Sequence, residues 1–230
     1  MIWAGLWRKK MRTTLTLLSI IVAFLLFGLL QGINQATKQL LAAAHVDRLF
    51  VLSSDNITRL PVAYLGRIGD VTGVSAVAVL AGFGGQYQDP KNSVPVLATD
   101  VRSLSSVYPE LNVPDDQIAA MTATRTGTLV GDQLARKFGW KIGDALPLQA
   151  ADGKDWTFTV VGILNHYDAD IMNFGNRVIA NYGYFSEASG DSTVGAYIAT
   201  IDDPAQAASV SGAIDRLFAN SPEETETRSE

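Results

Sequence analysis

The sequence contains no cysteine and only two histidines, His45 and His166, which excludes Cys–His nucleophilic sites and most zinc sites. A domain without disulfides is held by its core alone, and the lack of cysteine is compatible with an oxidising compartment. No G-x-x-x-x-G-K-[ST] stretch occurs, so the chain cannot hydrolyse ATP through a phosphate-cradling loop. Nor is there a G-x-S-x-G elbow to present a nucleophilic serine. Charge is scarce at 18% of residues, and between Thr13 and Thr37 there is none.

That uncharged stretch is the strongest positive signal. Leu15 to Leu30 is apolar apart from Thr16, Ser19 and Gly28. A helix over 13–32 would be about 30 Å long at about 1.5 Å per residue, the thickness of a bilayer's hydrocarbon core. Arg8, Lys9, Lys10 and Arg12 precede it with no acidic residue among them, and the next charge is Lys38. The positive-inside bias therefore expects residues 1–12 in the cytoplasm and the rest of the chain outside the cell or inner membrane. Trp3 and Trp7, four apart with Leu6 beside them, make 1–12 an amphipathic arm at the cytoplasmic interface. Residues 33–46 keep good helix formers, so the spanning helix is expected to continue as a stalk. Ala42 and Ala44 form an A-x-A pattern that a cleaved secretory signal would also show. The apolar run exceeds a signal's h-region, and the alanines lie about a dozen residues beyond its end, so a retained anchor is the better reading.

After Arg12 the chain carries 14 of its 18 basic residues and all 23 acidic ones, a formal charge of −9. An acidic domain with no basic run is a poor partner for nucleic acid, leaving membrane lipid around the anchor as the expected non-protein contact. The region 47–220 alternates strand-like and helix-like segments, an α+β pattern with room for one domain or two lobes sharing a core. Leu49–Ser53, Gly73–Tyr87 and Val94–Thr99 read as strands, with Gly82, Gly84 and Gly85 marking a bend rather than a nucleotide loop because no helix start follows them. Pro61–Ile68 reads as a helix opened by proline, Asp100–Val107 as a short helix, and Tyr108–Thr124 as a surface excursion.

The clearest block is Gly127–Leu164: a strand, a helix with Leu134 and Phe138 on one face and Gly139 ending it, a Gly143–Asp144 turn, and a hairpin turning at Asp152–Gly153. Val178–Ala180 and Ala196–Ile201 add strands. Pro204–Ala219 adds a helix whose Val210, Ile214, Leu217 and Phe218 share a face. Residues 221–230 read as a flexible acidic tail. His166, Asp168 and Asp170 would point to one side of an extended segment, but without a second ligand pair they read as a polar loop rather than a metal site. No catalytic, metal or cofactor residue is assigned, and nothing argues for an enzyme.

Two stretches resemble the MacB/FtsX-like permease subunits of ABC transporters. RKKMRTTLTLLSIIVAFLLFGLLQGI is similar to that family's first transmembrane helix. GTLVGDQLARKFGWKIGDALPLQ followed by TFTVVGIL is similar to its extracytoplasmic core, with Gly131 and Gly139 bracketing a helix and Gly143–Asp144 turning into a hairpin. The resemblance implies a permease that works with a cytoplasmic ATPase and forms a homo- or heterodimer. It places Trp3, Trp7, Arg8, Lys9, Lys10 and Arg12 near the ATPase and makes 33–46 a transmitter of motion. The family has four transmembrane helices, three of them after the core, so the resemblance implies a fragment, a truncated product or one part of a split permease. The competing class is a single-pass anchored binding or scaffold module acting without ATP, and an anchored hydrolase is the third.

Overall fold

The structure, a computed structural model, describes residues 10–43, 47–165 and 172–230. The chain divides into two units, residues 1–46 and 47–230. The described part of the first is a single helix, α1 (Lys10–Ala43), whose 34 residues span about 51 Å. Within it Thr14–Gly32 is the one described segment long and apolar enough to cross a membrane. Its side chains are exposed, Phe24 and Leu30 each to 71%. Ser19 Oγ donates to the Leu15 carbonyl at 2.8 Å, which satisfies the hydroxyl inside the helix, as a hydrocarbon surrounding requires. No glycine or proline lies between Ile33 and Ala43, and the helix carries on past the apolar span without a break.

The second unit runs β1 (Arg48–Ser53), β2 (Leu60–Pro61), α2 (Tyr64–Gly69), β3 (Val74–Tyr87), β4 (Asp89–Thr99), α3 (Val101–Val107), α4 (Asp115–Ala123), β5 (Gly127–Gly131) and α5 (Asp132–Phe138). It continues β6 (Ala145–Ala150), β7 (Asp155–Leu164), β8 (Val178–Asn181), α6 (Tyr182–Ser189), β9 (Thr193–Val194), β10 (Ala196–Ile201), α7 (Ala207–Phe218) and β11 (Thr225–Ser229). Nine strands form one sheet in the order β11-β1-β10-β3-β4-β8-β5-β7-β6, and β6 also pairs with β3. The pairs Gly85↔Ala150 and Gln86↔Gln149 thereby close β3, β4, β8, β5, β7 and β6 into a six-stranded barrel. The other strands form an open four-stranded sheet with the first half of β3.

β3 belongs to both halves: Ala76–Leu80 pair with β10, and Ala81–Tyr87 with β4. The change of partner falls between Leu80 and Ala81, next to Gly82, whose φ is +147° and where a Cβ would sit 2.0 Å from the Val96 carbonyl oxygen. Only glycine fits both the angle and the close approach of β4.

Side chains alternate across the open sheet. Leu49, Val51, Val79, Tyr197 and Ala199 pack with Tyr64 and Ile68 of α2 and Val210, Ile214 and Phe218 of α7. Ala78, Leu80 and Ile198 point the other way, into a second core with Val101, Leu104 and Val107 of α3. Covered on both faces, these strands read as nearly continuous apolar runs rather than alternating ones. On the barrel, Trp156 of β7 stacks near Phe83 of β3 and Phe185 of α6, at centroid distances of 5.0 and 5.5 Å.

Four expectations are corrected. Pro61 does not open a helix but pairs with Thr193 in the short β2–β9 ladder, and the helix starts at Tyr64. Tyr108–Thr124 is not a surface excursion: a 3-10 turn at Pro109–Leu111 and α4 bury Tyr108, Leu111 and Met121 in the second core. Leu217 is 37% exposed, so α7 buries a narrower face than its apolar content suggests. Residues 225–229 are not a flexible tail but β11, antiparallel to β1, because alternate backbone groups of a polar strand can pair with an apolar neighbour's edge.

Candidate functional site

The folded unit begins at β1 and the described chain finishes on β11, and these two strands lie side by side. Leu49 is registered with Ser229, and the Glu230 amide donates to the Arg48 carbonyl at 3.0 Å. On the other side of β1, the Ile201 amide donates to the Asp47 carbonyl at 2.8 Å. The first two residues of the folded unit are therefore bonded one to each side, Asp47 toward β10 and Arg48 toward the end of β11.

Side-chain alternation puts Arg48 on the same face as Phe50 and Leu52, toward α3 and the Tyr108–Leu111 turn. Its side chain is 3% exposed, which for a guanidinium demands ionic partners. Nη2 meets Glu110 Oε1 at 2.5 Å and Nη1 meets Glu230 Oε2 at 3.3 Å. The guanidinium plane lies over the Tyr108 ring, 4.3 Å from its centroid. Tyr108 Oη donates to Glu230 Oε1 at 3.1 Å, so the carboxylate is held from two directions. Arginine's rigid fork can serve two carboxylates and stack at once, which a lysine cannot do. The constellation joins β1, β11 and the 108–111 turn. The sequence pattern does not bring these residues together: Arg48 lies outside the expected first strand, Tyr108–Glu110 within the expected surface excursion and Glu230 in the expected tail. A basic residue opening an apolar run was the one available signal.

The residues singled out in sequence occupy other places. Gly131 precedes α5, and a Cβ there would lie 2.2 Å from the Phe174 carbonyl oxygen. Gly139 ends α5 in the left-handed conformation with φ 74°, Gly143 has φ 97° and donates to the Val160 carbonyl, and Asp144 Oδ2 accepts the Lys141 amide at 2.8 Å. These four shape the backbone between β5 and β6 and converge on no common centre. Trp3, Trp7, Arg8 and Lys9 lie outside the described residues, as do His166, Asp168 and Asp170; Lys10 and Arg12 fall within the first turns of α1. Among the described residues no group of three or more His, Cys, Asp or Glu is placed to hold a metal ion. An open cleft of about 470 Å³ lies where the β3–β4 hairpin meets β6 and β7. Its carboxylates are engaged locally, Asp89 by the Lys91 amide and Asp155 by the Gln149 side chain.

The largest electrostatic perturbations among the described residues fall in the turn after β1 and on β10. Four donors, led by the Thr58 hydroxyl and followed by the Ile57 and Thr58 amides and the Ser53 hydroxyl, hold the Asp55 carboxyl well below the usual carboxylate range. Burial pushes the Tyr197 phenol up, with Tyr182 and Tyr64 nearby adding to it.

A long apolar helix leading into a two-part α/β domain defines a class, a folded domain led by a candidate membrane-spanning helix. The chain belongs to the MacB-like periplasmic core domain family, which it matches over residues 13–217, and is of the ABC transporter permease kind. A comparison with curated protein sequences finds no significant match. Among solved structures, the extracellular domain of the noncanonic ABC-type transporter YknZ from Gram-positive bacteria superposes with TM-score 0.58 at 12% identity, covering 80% of this chain and 99% of that one. The periplasmic region of MacB from Actinobacillus actinomycetemcomitans gives 0.56 at 9% identity, covering 82% and 91%. A domain of a putative permease from Porphyromonas gingivalis gives 0.50 at 14% identity, covering 80% and 89%. At these identities the likeness is one of fold.

Proposed function

We propose that the chain is a permease subunit, or part of one, in which α1 crosses the membrane, residues 1–12 meet a cytoplasmic ABC ATPase, and the second unit works outside. The observation that carries this reading is the unbroken helix Lys10–Ala43. It continues about 16 Å beyond the apolar span and finishes four residues before β1. A helix without a glycine or proline hinge past the bilayer is a stiff connector, suited to passing ATP-driven motion to an outer domain. The basic run Arg8–Arg12 supports a cytoplasmic N-terminus. In this reading the outer domain acts on a substrate, peptide or lipoprotein beyond the membrane, and the permease works as a homo- or heterodimer.

The cysteine-free sequence provides the test. Single cysteines are introduced at Lys9 and at the exposed Thr157, and intact cells are treated with a membrane-impermeant maleimide. Thr157→Cys is expected to label in intact cells and Lys9→Cys only after lysis. The opposite pattern overturns the proposed orientation.

A further inference from the structure

On the reading that α1 transmits motion, we propose that Arg48 is a positioning residue that locks three separate chain segments into one rigid receiver at the point where motion reaches the domain. The segments are β1, β11 and the Tyr108–Leu111 turn. Backbone pairing alone couples β1 to β11 and to β10. It does not couple β1 to the 108–111 turn, which belongs to the layer behind the sheet. Phe50 and Leu52 of β1 pack against the core that holds Tyr108 and Leu111, and the directional, polar part of the link runs through the guanidinium, with Glu110 at 2.5 Å and the Tyr108 ring at 4.3 Å. The same guanidinium meets Glu230 at 3.3 Å, and Tyr108 Oη closes the ring of contacts by donating to that carboxylate at 3.1 Å.

The chemistry suits a joint that must not slip. Arg48 and Glu230 side chains are each 3% exposed, so water neither screens the pair nor competes for it. Two carboxylates and an aromatic face fix the fork in position and orientation, whereas a single salt bridge would leave it free to pivot. From the turn the connection continues through α3, whose Leu104 carbonyl accepts the Tyr108 amide at 2.7 Å and whose Val101 and Leu104 pack against β3 residues. Displacement of β1 thus reaches β3, the strand shared with the barrel, from two sides: across β10 and through α3. Glu110 and Glu230 divide the work, one holding the turn and the other holding β11.

Hydrogen–deuterium exchange on the full chain in detergent or nanodiscs tests this, since it needs no partner. Arg48→Met is expected to raise exchange at least tenfold in both 225–230 and 108–111 while β5–β7 are unchanged. Glu230→Gln should free 225–230 alone, and Glu110→Gln should free 108–111 alone. A purely structural role for Arg48 would give the same diffuse pattern in all three variants. Exchange that rises throughout the domain, or that leaves both segments protected in Arg48→Met, overturns the proposal. Should the orientation test fail while this pattern holds, the clamp stands and the permease reading falls. Should Arg48→Met fail to fold, the two Glu→Gln variants decide the matter by their segment selectivity.

Discussion

Glycine at position 82 and aspartate at position 55 show how single residues set the shape of the folded unit. At Gly82 both the φ of +147° and the Val96 oxygen, 2.0 Å from where a Cβ would lie, oppose any side chain. Gly82→Ala is expected to destabilise the fold by more than about 1 kcal/mol, read by denaturant titration of the full chain. Asp55 organises the turn after β1 by accepting from Thr58, Ile57 and Ser53. Its folded pKa is depressed, so the turn's stabilisation is complete above the unfolded value of about 3.9 and is lost only as pH falls through the lower folded value. The Ile57 and Thr58 amides should therefore remain protected from exchange at about pH 4. In Asp55→Ala they should be unprotected at every pH. Loss of protection in the wild type between about pH 6 and pH 4 would contradict this assignment.

Elements were legible in the sequence where their signal is local. β1, β3 and α3 follow from apolar runs, a glycine bend and the Asp100 cap, whose carboxylate accepts the Ser103 amide at 2.8 Å. The hairpin of β6 and β7 follows from its Asp152–Gly153 turn. What could not be read depends on distant partners. β11 is polar, with the sequence TETRS, and exists because β1 offers an edge and Asp215 of α7 accepts from the hydroxyls of Thr225 and Thr227 and from the Thr227 amide. The Glu224 carbonyl and the Glu230 amide bond toward β1, so the Thr227 amide faces outward, and Asp215 occupies the donor another strand would seek. Pro147 does the same for β6: the Ala150 amide and the Asp144 carbonyl bond to the β7 side, which leaves the Pro147 position facing out with no N–H to offer. For the same reason the Arg48 constellation was invisible, since its members are separated by 62 and 120 residues and meet only in the folded state. Two tests belong at this scale. Ile214→Ala, in the fully buried stripe of α7, should cost about 2–5 kcal/mol. Asp215→Ala should leave the core intact and increase self-association through the uncovered β11 edge, measured by analytical ultracentrifugation.

At the scale of the whole molecule, each unit is suited to a different surrounding. The Thr14–Gly32 segment exposes leucine and phenylalanine throughout, while the second unit buries most of its large apolar residues in two cores and protects its open strand edges. Membership of the MacB-like family places the chain among ABC transporter permeases. Coupling to an ATPase is the central claim of the functional account. The most direct measurement is ATP hydrolysis co-purifying with the tagged chain extracted from its native membrane, compared between the wild type and a Trp3→Ala, Trp7→Ala double variant. An ABC-type ATPase that co-elutes with the wild type and is lost from the variant is the expected result. Absence of any co-eluting ATPase, or one retained equally by the variant, would contradict the claim.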